Sequence, residues 1–357
     1  MDQHTFQAAG QAVVRMTTQS PEQTVSDVKL AENRRGLNLR GLAQAVIGIV
    51  ALALVVMRSD ARGLLEALRN TRMAYLPLAV AASFAVTWLM AYRWGAILAA
   101  REVYIKTRRL FVLYLIGIFF TSFVPGGGVS GDVARLIYVD REARDKAMVL
   151  STLVYERLIG VFTLLLIGLA ATLMTRAYGQ ADPMIYASEA FLALAFIAIA
   201  TLMSGYVSSR LARLIRATGR RIRMARIAEA AARTLESIAE LRRDGALLLR
   251  TSVISVMIRI MWSLGCYVVV WAMGLPMGLL TLFAFISLVD LVRLMPISVG
   301  GLGVREWAVI VLFATVGINR EQALTFSILA FTPIYLNAIV GGFLYVSKAK
   351  VMRSEAR

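Results

Sequence analysis

Long apolar stretches separated by short polar ones make up most of this sequence. The apolar segments are 41–57, 73–100, 110–124, 149–175, 184–207, 251–274, 278–295, 304–317 and 322–346. A helix needs about 20 such residues to cross the hydrocarbon core of a bilayer. The strands of a membrane barrel would instead show alternating segments of about ten residues. The pattern therefore predicts an all-α, polytopic helical membrane protein with about seven full-length or hairpin-flanking helices.

Composition agrees with this class of protein. Of the 357 residues, 59% are hydrophobic and 17% are charged, and the mean hydropathy is +0.69. The formal net charge of +17 fits cytoplasmic loops rich in Lys and Arg that face anionic headgroups. The Arg-rich stretch 210–226 interleaves Leu and Ile at helical spacing, which favours an interfacial helix over nucleic-acid binding. Segment 58–72 predicts a shorter interfacial helix on the outer side.

Two apolar segments, 110–124 and 304–317, are short for a full crossing, and each adjoins a break of Pro and Gly. We interpret 109–139 and 278–317 as re-entrant hairpins, the first entering from the cytoplasm and the second from outside. With this topology 27 Lys and Arg residues lie on cytoplasmic pieces and 6 on outer pieces. The strong bias favours the re-entrant arrangement, because Lys and Arg concentrate on the cytoplasmic side.

The same topology sets the domain layout. Residues 1–39 form a basic, loosely ordered cytosolic tail, and 40–346 form the membrane domain. A basic amphipathic cytoplasmic segment, 208–250, lies within that domain. Residues 347–357 form a second basic tail, so both termini are expected in the cytoplasm.

The first break reads TSFVPGGGVSGDVAR at 121–135. Pro125 lacks a backbone donor, and the glycines after it allow conformations that other residues avoid; they are Gly126, Gly127, Gly128 and Gly131. We expect an unwound segment whose free N–H groups lead into a helix beginning at about Asp132 and bind a phosphate or carboxylate. Arg135 would add a bidentate contact to phosphate. Asp132 either caps this helix or pairs with Arg135 when no substrate is bound.

The second break, MPISVGGLGVREW at 295–307, repeats this order. Pro296 precedes three glycines, Gly300, Gly301 and Gly303, and then Arg305 beside Glu306 at a predicted helix start. Two hairpins that enter from opposite faces would bring their tips together near the midplane, as in inverted-repeat transporters. The alternative is that both stretches are ordinary loops outside the membrane.

Further charged residues lie inside apolar segments, where a charge is unfavourable unless it faces a partner or a polar cavity. Glu156 and Arg157 are adjacent on one helix and point about 100° apart, so each needs a partner from another helix. Asp290 and Arg293 share a helix face just ahead of the second break and are expected to neutralise each other. All four are candidates for lining a substrate cavity, with a buried network that orients helices as the alternative for the first two.

Other chemistry-bearing residues are few. Arg93 and Arg259 lie nearer helix ends, so we interpret them as snorkelling structural residues. The single His4 lies in the N-terminal tail and the single Cys266 in an apolar helix, which predicts no metal site, no cofactor and no disulfide. Nothing in the motifs indicates an enzyme.

The stretches FVPGGGVSGDVARLIYVDR, YERLIG and PISVGGLGVREW together resemble the lysylphosphatidylglycerol synthase transmembrane-region family, also called flippase-like domain proteins. The resemblance spans about 40–346. It implies a multi-pass protein of the bacterial inner membrane whose relatives move an aminoacylated phospholipid to the outer leaflet. No counterpart of the synthase's soluble aminoacyl-transferase domain occurs in the sequence, so we expect no lipid aminoacylation by this chain.

The preferred hypothesis is a lipid translocase for a phospholipid or polyprenyl-phosphate-linked lipid with an anionic or phosphate-bearing headgroup. Two alternatives are a small-anion transporter and a non-transporting partner of a glycosyltransferase or lipid-modifying enzyme. The predicted substrate-binding residues are Pro125, Gly126, Gly127, Gly128, Gly131, Asp132, Arg135, Glu156, Arg157, Asp290, Arg293, Gly300, Gly301, Gly303, Arg305 and Glu306.

Overall fold

A computed structural model describes residues 59–124, 128–139, 146–177, 183–202, 212–217, 243–294 and 298–354, with isolated positions between 50 and 57 and between 210 and 241. Its helices are α1 Ala61–Arg69, α2 Leu76–Ala99, α3 Thr107–Phe123, α4 Gly128–Val139, α5 Lys146–Ala177, α6 Pro183–Leu202, α7 Gly245–Ala272, α8 Leu279–Leu294, α9 Val304–Ala314 and α10 Arg320–Ser354. Short 3₁₀ turns, Met73–Tyr75 and Val299–Gly301, precede α2 and α9. The described residues contain no strand, which confirms the all-α prediction.

Four stretches of helix are long and apolar enough to cross a membrane. They are Met73–Ala99, Met148–Ala177, Gly245–Ala272 and Arg320–Ser347, and α6 contains a shorter apolar stretch, Tyr186–Thr201. These stretches coincide with predicted apolar segments and confirm a polytopic membrane protein. The first predicted segment, 41–57, lies almost wholly outside the described residues.

The predicted interfacial segment 58–72 contains α1, which has no buried residue. The carboxylate of Asp60 caps this helix by accepting hydrogen bonds from the N–H groups of Arg62 and Gly63, at 3.1 and 3.2 Å. Of the other predicted interfacial helix, 210–226, the structure describes 212–217 and position 210, which are helical.

Helices α2 and α7 run antiparallel. Just before α2, the N–H of Arg72 donates to the carbonyl of Ala272 at the end of α7, at 2.9 Å. Just after α2, Arg101 pairs with Glu240, which precedes α7, also at 2.9 Å. The start of each helix therefore lies at the end of the other.

The first hairpin, α3 and α4, begins and ends at one end of the bundle. Leu110 at its start, Val139 at its end and Val149 at the start of α5 belong to one buried cluster with Leu98 near the end of α2. Its second arm, α4, has 12 residues, a length of about 18 Å. That is too short to cross the bilayer's hydrocarbon core, as the re-entrant interpretation requires.

The second hairpin, α8 and α9, begins and ends at the opposite end of the bundle. It leaves from the end of α7, which adjoins Arg72, and returns to the start of α10, where Glu321 accepts a hydrogen bond from the N–H of Asp60. Both points adjoin the start of α2, since Leu275 and Ile318 share a buried cluster with Ala79, whereas the first hairpin adjoins its end. The two hairpins are thus inverted relative to each other.

The inversion extends to helix packing. The order of long helix, hairpin and long helix occurs twice, as α2 to α5 and as α7 to α10. The most extensive packing crosses between these units: α2 against α7, α3 against α10 and α8 against α5. Exchanging the two units maps this set of contacts onto itself, so the bundle is an inverted pseudo-repeat.

The hairpin tips meet inside the bundle. A Cβ added at Gly300, in the turn before α9, would lie 3.3 Å from the carbonyl oxygen of Ser122, close to the end of α3. The predicted glycine conformations occur here, with φ of 62°, 78° and 80° at Gly300, Gly301 and Gly303, a region that L side chains avoid.

The first break differs from its prediction. Helix α4 begins at Gly128, not at about Asp132, so Asp132 does not cap it. Gly131 lies inside the helix, where it packs against the Gly117 backbone and the Thr121 side chain. Its hydrogen atom therefore permits a close crossing of α3 and α4 rather than freeing an N–H group. Pro125, Gly126 and Gly127 lie outside the described residues.

Candidate functional site

A buried ionic cluster lies between the first hairpin and the neighbouring helices α2 and α5, and it is centred on Glu156 of α5. Its Oε1 accepts a hydrogen bond from Arg93 Nη2 of α2 at 2.7 Å and another from the hydroxyl of Tyr114 of α3. Its Oε2 accepts one from Arg135 Nη1 of α4 at 3.1 Å. Four helices thus converge on one carboxylate whose side chain is 4% exposed.

Arg135 is held on several sides. Its Nη2 donates to Asp132, one turn earlier on α4, and its guanidinium carbon lies 4.3 Å from the ring centroid of Tyr114 and 5.2 Å from that of Trp94. Asp132 also pairs with Arg157. The series of ion pairs from Glu156 through Arg135 and Asp132 ends at Arg157. Because the Arg157 side chain is 42% exposed, the series reaches the surface of the described bundle.

The second hairpin carries a matching cluster centred on Asp290 of α8. This carboxylate pairs with Arg259 of α7 and accepts a hydrogen bond from Arg293 Nη1 at 3.0 Å. The predicted pairing of Asp290 with Arg293 is thus present, and Arg259 is a third member that the sequence interpretation placed elsewhere.

Arg305 and Glu306 lie beside this cluster at the start of α9. They pair with each other, with Arg305 Nε donating to Glu306 Oε1 at 2.9 Å, and both are buried. Glu306 Oε2 also accepts a hydrogen bond from the Gly303 N–H at 2.6 Å, which caps the helix. Phe331 of α10 packs under two guanidiniums, with Arg305 Cζ 4.4 Å and Arg293 Cζ 4.9 Å from its ring centroid.

Helix α7 joins the two clusters. Ser255 accepts a hydrogen bond from Arg93 Nη1 at 2.7 Å, and Arg259, one turn further along α7, pairs with Asp290. The clusters therefore lie side by side across the bundle. Together they contain six arginines, Arg93, Arg135, Arg157, Arg259, Arg293 and Arg305, and four carboxylates, Asp132, Glu156, Asp290 and Glu306. Their formal charge is therefore +2, which suits an anion.

All eight predicted charged site residues lie in these clusters. Glu156 and Arg157 each take partners from other helices, as the sequence interpretation required. The interpretation of Arg93 and Arg259 as snorkelling residues is wrong, because Arg93 is 4% exposed and both pair with carboxylates inside the bundle. Whether the predicted residues bind a substrate stays a prediction.

Sequence reasoning missed the aromatic members of the site. Tyr114, Trp94 and Phe331 lie in apolar segments, where an aromatic side chain is ordinary core material. Their contacts with guanidiniums depend on how helices face one another. The position of Arg93 inside a long apolar segment was the signal that would have included it.

The described residues contain no group of three or more His, Cys, Asp and Glu side chains placed to hold a metal ion. Cys266 is buried in α7.

Residues 41–341 match the sequence family described as the lysylphosphatidylglycerol synthase TM region. The match covers most of the chain. The chain belongs to this family. Membership confirms the resemblance drawn from the glycine-rich breaks and the charged motifs, and the paired hairpins and their ionic clusters lie within the matched region.

This chain is similar to a UPF0104 membrane protein from Methanothermobacter thermautotrophicus, to which it is 22% identical over 294 residues. The alignment covers 78% of this chain and 87% of that protein. No solved structure matches the chain.

Proposed function

We propose that this lysylphosphatidylglycerol synthase TM-region protein is a lipid translocase of the bacterial inner membrane, with both termini in the cytoplasm. It moves a phospholipid or polyprenyl-phosphate-linked lipid between leaflets without changing its covalent structure. The proposal rests on the six arginines and four carboxylates of the two clusters, which lie at the two hairpins. Charges inside a membrane domain are energetically unfavourable, and proteins therefore mostly retain them where a function requires them.

The surplus of positive charge favours an anionic headgroup. In the structure each described arginine of the two clusters pairs with a carboxylate, and a phosphate would replace some of these partners. The acyl tails would stay in the bilayer between the helices. The inverted hairpins supply a route, because a site between two inverted units is exposed to either side when one unit moves against the other.

A labelled-lipid assay tests translocation. The full chain is reconstituted into liposomes containing a fluorescent anionic phospholipid, and dithionite is added outside to bleach the accessible label. We expect bleaching to extend to label from the inner leaflet. Arg305→Ala, in the second cluster, should slow that phase by about tenfold or more, since it removes a charge-assisted contact with phosphate. Arg135→Ala, in the first cluster, should also slow it, because it breaks the buried ion pairs that hold the first hairpin.

Arg176→Ala is the matched control. Arg176 pairs with Glu189 at 3.1 Å, but its side chain is 46% exposed and the pair lies outside both clusters, so flipping should be unchanged. Unchanged flipping in both cluster variants would refute the proposed site. Uptake of free phosphate without lipid movement would instead identify an anion transporter. Wild-type protein that moves neither would favour a partner of a lipid-modifying enzyme or glycosyltransferase.

A further inference from the structure

Buried hydrogen-bond donors without partners collect around the second hairpin. They are the Nε atoms of Arg259 and Arg293, Nε1 of Trp262, Oγ of Ser298 and the hydroxyl of Tyr335. Native proteins rarely leave buried donors unpaired, because desolvation is then uncompensated. Ser298, Trp262 and Tyr335 are not among the residues predicted from the motifs.

Several of these donors surround Phe331. The Trp262 ring centroid lies 5.6 Å from that of Phe331, and Arg293 Cζ lies 4.9 Å from it. Tyr335 follows Phe331 by one turn of α10, and its ring centroid lies 5.8 Å from Arg305 Cζ. The donors thus come from α7, α8 and α10, which converge here.

Ser298 belongs to the same region. The residue is 5% exposed, and its carbonyl accepts a hydrogen bond from the Gly301 N–H at 3.5 Å. Gly301 in turn packs on Arg293, since a Cβ added there would lie 3.1 Å from Arg293 Cγ. The unpartnered serine therefore lies in the turn that leads into the N-terminus of α9, where backbone N–H groups favour an anion.

The second cluster has a cation that it can release. Three arginines, Arg259, Arg293 and Arg305, face the two carboxylates Asp290 and Glu306, which leaves one positive charge in excess. If Arg305 leaves Glu306, that carboxylate keeps its hydrogen bond from the Gly303 N–H at 2.6 Å. Arg305 would then exchange its ion pair for one with the ligand, while Glu306 keeps the backbone hydrogen bond.

The first cluster also has three arginines for two carboxylates, but it has fewer free donors. Both oxygens of Glu156 and both of Asp132 accept hydrogen bonds, and both terminal nitrogens of Arg135 donate. Within that cluster Arg93 Nε is the buried side-chain donor left over in the described residues. The pseudo-symmetric halves thus differ in hydrogen-bonding capacity, and the second half is the one that lacks acceptors.

We propose that a phosphate group binds at the second hairpin, accepting hydrogen bonds from Ser298, Tyr335 and Arg293 and ion-pairing with Arg305 after its release from Glu306. Phosphate oxygens supply the missing acceptors and the missing negative charge together, which a neutral or cationic group does not. The first cluster stays paired and positions its hairpin. Assignment of the phosphate to a lipid headgroup rests on the proposed function, whereas free phosphate has the same chemistry.

Binding to the full chain in detergent tests the subsite. Titration calorimetry would compare dioctanoyl phosphatidic acid, inorganic phosphate and dioctanoylglycerol, which shares the tails but lacks phosphate. Ser298→Ala and Tyr335→Phe each remove one hydroxyl and should weaken phosphatidic acid binding about tenfold. The controls Ser347→Ala and Tyr104→Phe remove exposed hydroxyls and should leave affinity unchanged.

Melting temperature separates ligand binding from a structural role. Because both hydroxyls lack partners, Ser298→Ala and Tyr335→Phe should not lower the melting temperature of the ligand-free protein. Lower melting temperatures with unchanged affinity would overturn the proposal, as would binding lost in Arg157→Gln but retained in the two hydroxyl variants. Tighter binding of phosphatidic acid than of inorganic phosphate would support the lipid source, and the reverse would support the subsite with free phosphate as its ligand.

Failure of translocation is distinguishable from failure of the subsite. Wild-type protein that binds phosphatidic acid at this subsite but moves no labelled lipid would refute translocation and keep the subsite. Wild-type protein that moves lipid, with affinity unchanged in both hydroxyl variants, would refute the subsite and leave translocation standing.

Discussion

Glu156 shows how much one buried residue determines in this protein. It is the shared acceptor of Arg93, Tyr114 and Arg135, which come from three other helices. A buried charge is tolerated only when it is paired and its remaining hydrogen-bonding capacity is satisfied. The carboxylate therefore fixes the rotation of α2, α3 and α4 around α5 as well as neutralising two arginines.

Glu156→Gln keeps the shape of the side chain and removes its charge. We expect a loss of about 3 kcal/mol in the free energy of unfolding, because Arg93 is left as a buried cation without a counter-charge. Unfolding in mixed detergent micelles measures this loss. Glu189→Gln, in the exposed pair with Arg176, is the control, and its expected effect is below about 1 kcal/mol. Equal losses in the two variants would contradict a central role for Glu156.

At the scale of elements, glycines decide how closely the two units pack. Gly341 of α10 lies against the Leu115 backbone carbonyl of α3, and Gly168 of α5 lies against Ser287 of α8. These are equivalent crossings in the two units. Between helices in a membrane, close backbone approach through small residues replaces much of the hydrophobic driving force. The short hairpin arms are thereby fixed against long helices of the other unit.

Adding a methyl group at these crossings should destabilise the fold. For Gly341→Ala and Gly168→Ala we expect a loss of about 1–3 kcal/mol each, since overpacking forces the helices apart. Thermal unfolding in detergent checks this. Gly245→Ala is the control, because a Cβ there meets nothing within 4 Å. Its stability should be unchanged or slightly higher, and a comparable loss at Gly245 would show that the effect comes from the backbone rather than from packing.

At the scale of the whole molecule, each hairpin returns to the end of the bundle from which it started. Met73 at the start of the first unit and Ala272 at the end of α7 adjoin one end, and Arg101 and Glu240 adjoin the other. Because α6 is an additional helix between the units, the second unit is inverted relative to the first. The two hairpin tips then meet from opposite sides, where Gly300 approaches the Ser122 backbone.

Single-cysteine labelling in a Cys266→Ala background tests this topology in cells. Positions 104 and 144 flank the first hairpin, so Tyr104→Cys and Arg144→Cys should both react only from the cytoplasm. Gly278→Cys and Asn319→Cys flank the second hairpin and should both react with an impermeant reagent added outside. If the two positions of either pair label from opposite sides, that hairpin crosses the membrane and the re-entrant topology is wrong.

The sequence by itself determined the class of the protein, most of its helices, the two breaks and the charged residues beside them. These follow from local features, because hydropathy and the conformational freedom of glycine act over a few residues. It misplaced the start of α4, which begins at Gly128, since close packing of Gly131 on α3 outweighs the low helix propensity of glycine.

Tertiary structure alone decided which charges meet. Arg93 and Glu156 are 63 positions apart, and Arg259 and Asp290 are 31 apart. Their pairing depends on helix rotation and on close crossings at glycines such as Gly341, which no local pattern encodes. The physical reason is that hydropathy specifies which segments enter the membrane, whereas packing of one helix on another specifies which of their faces meet.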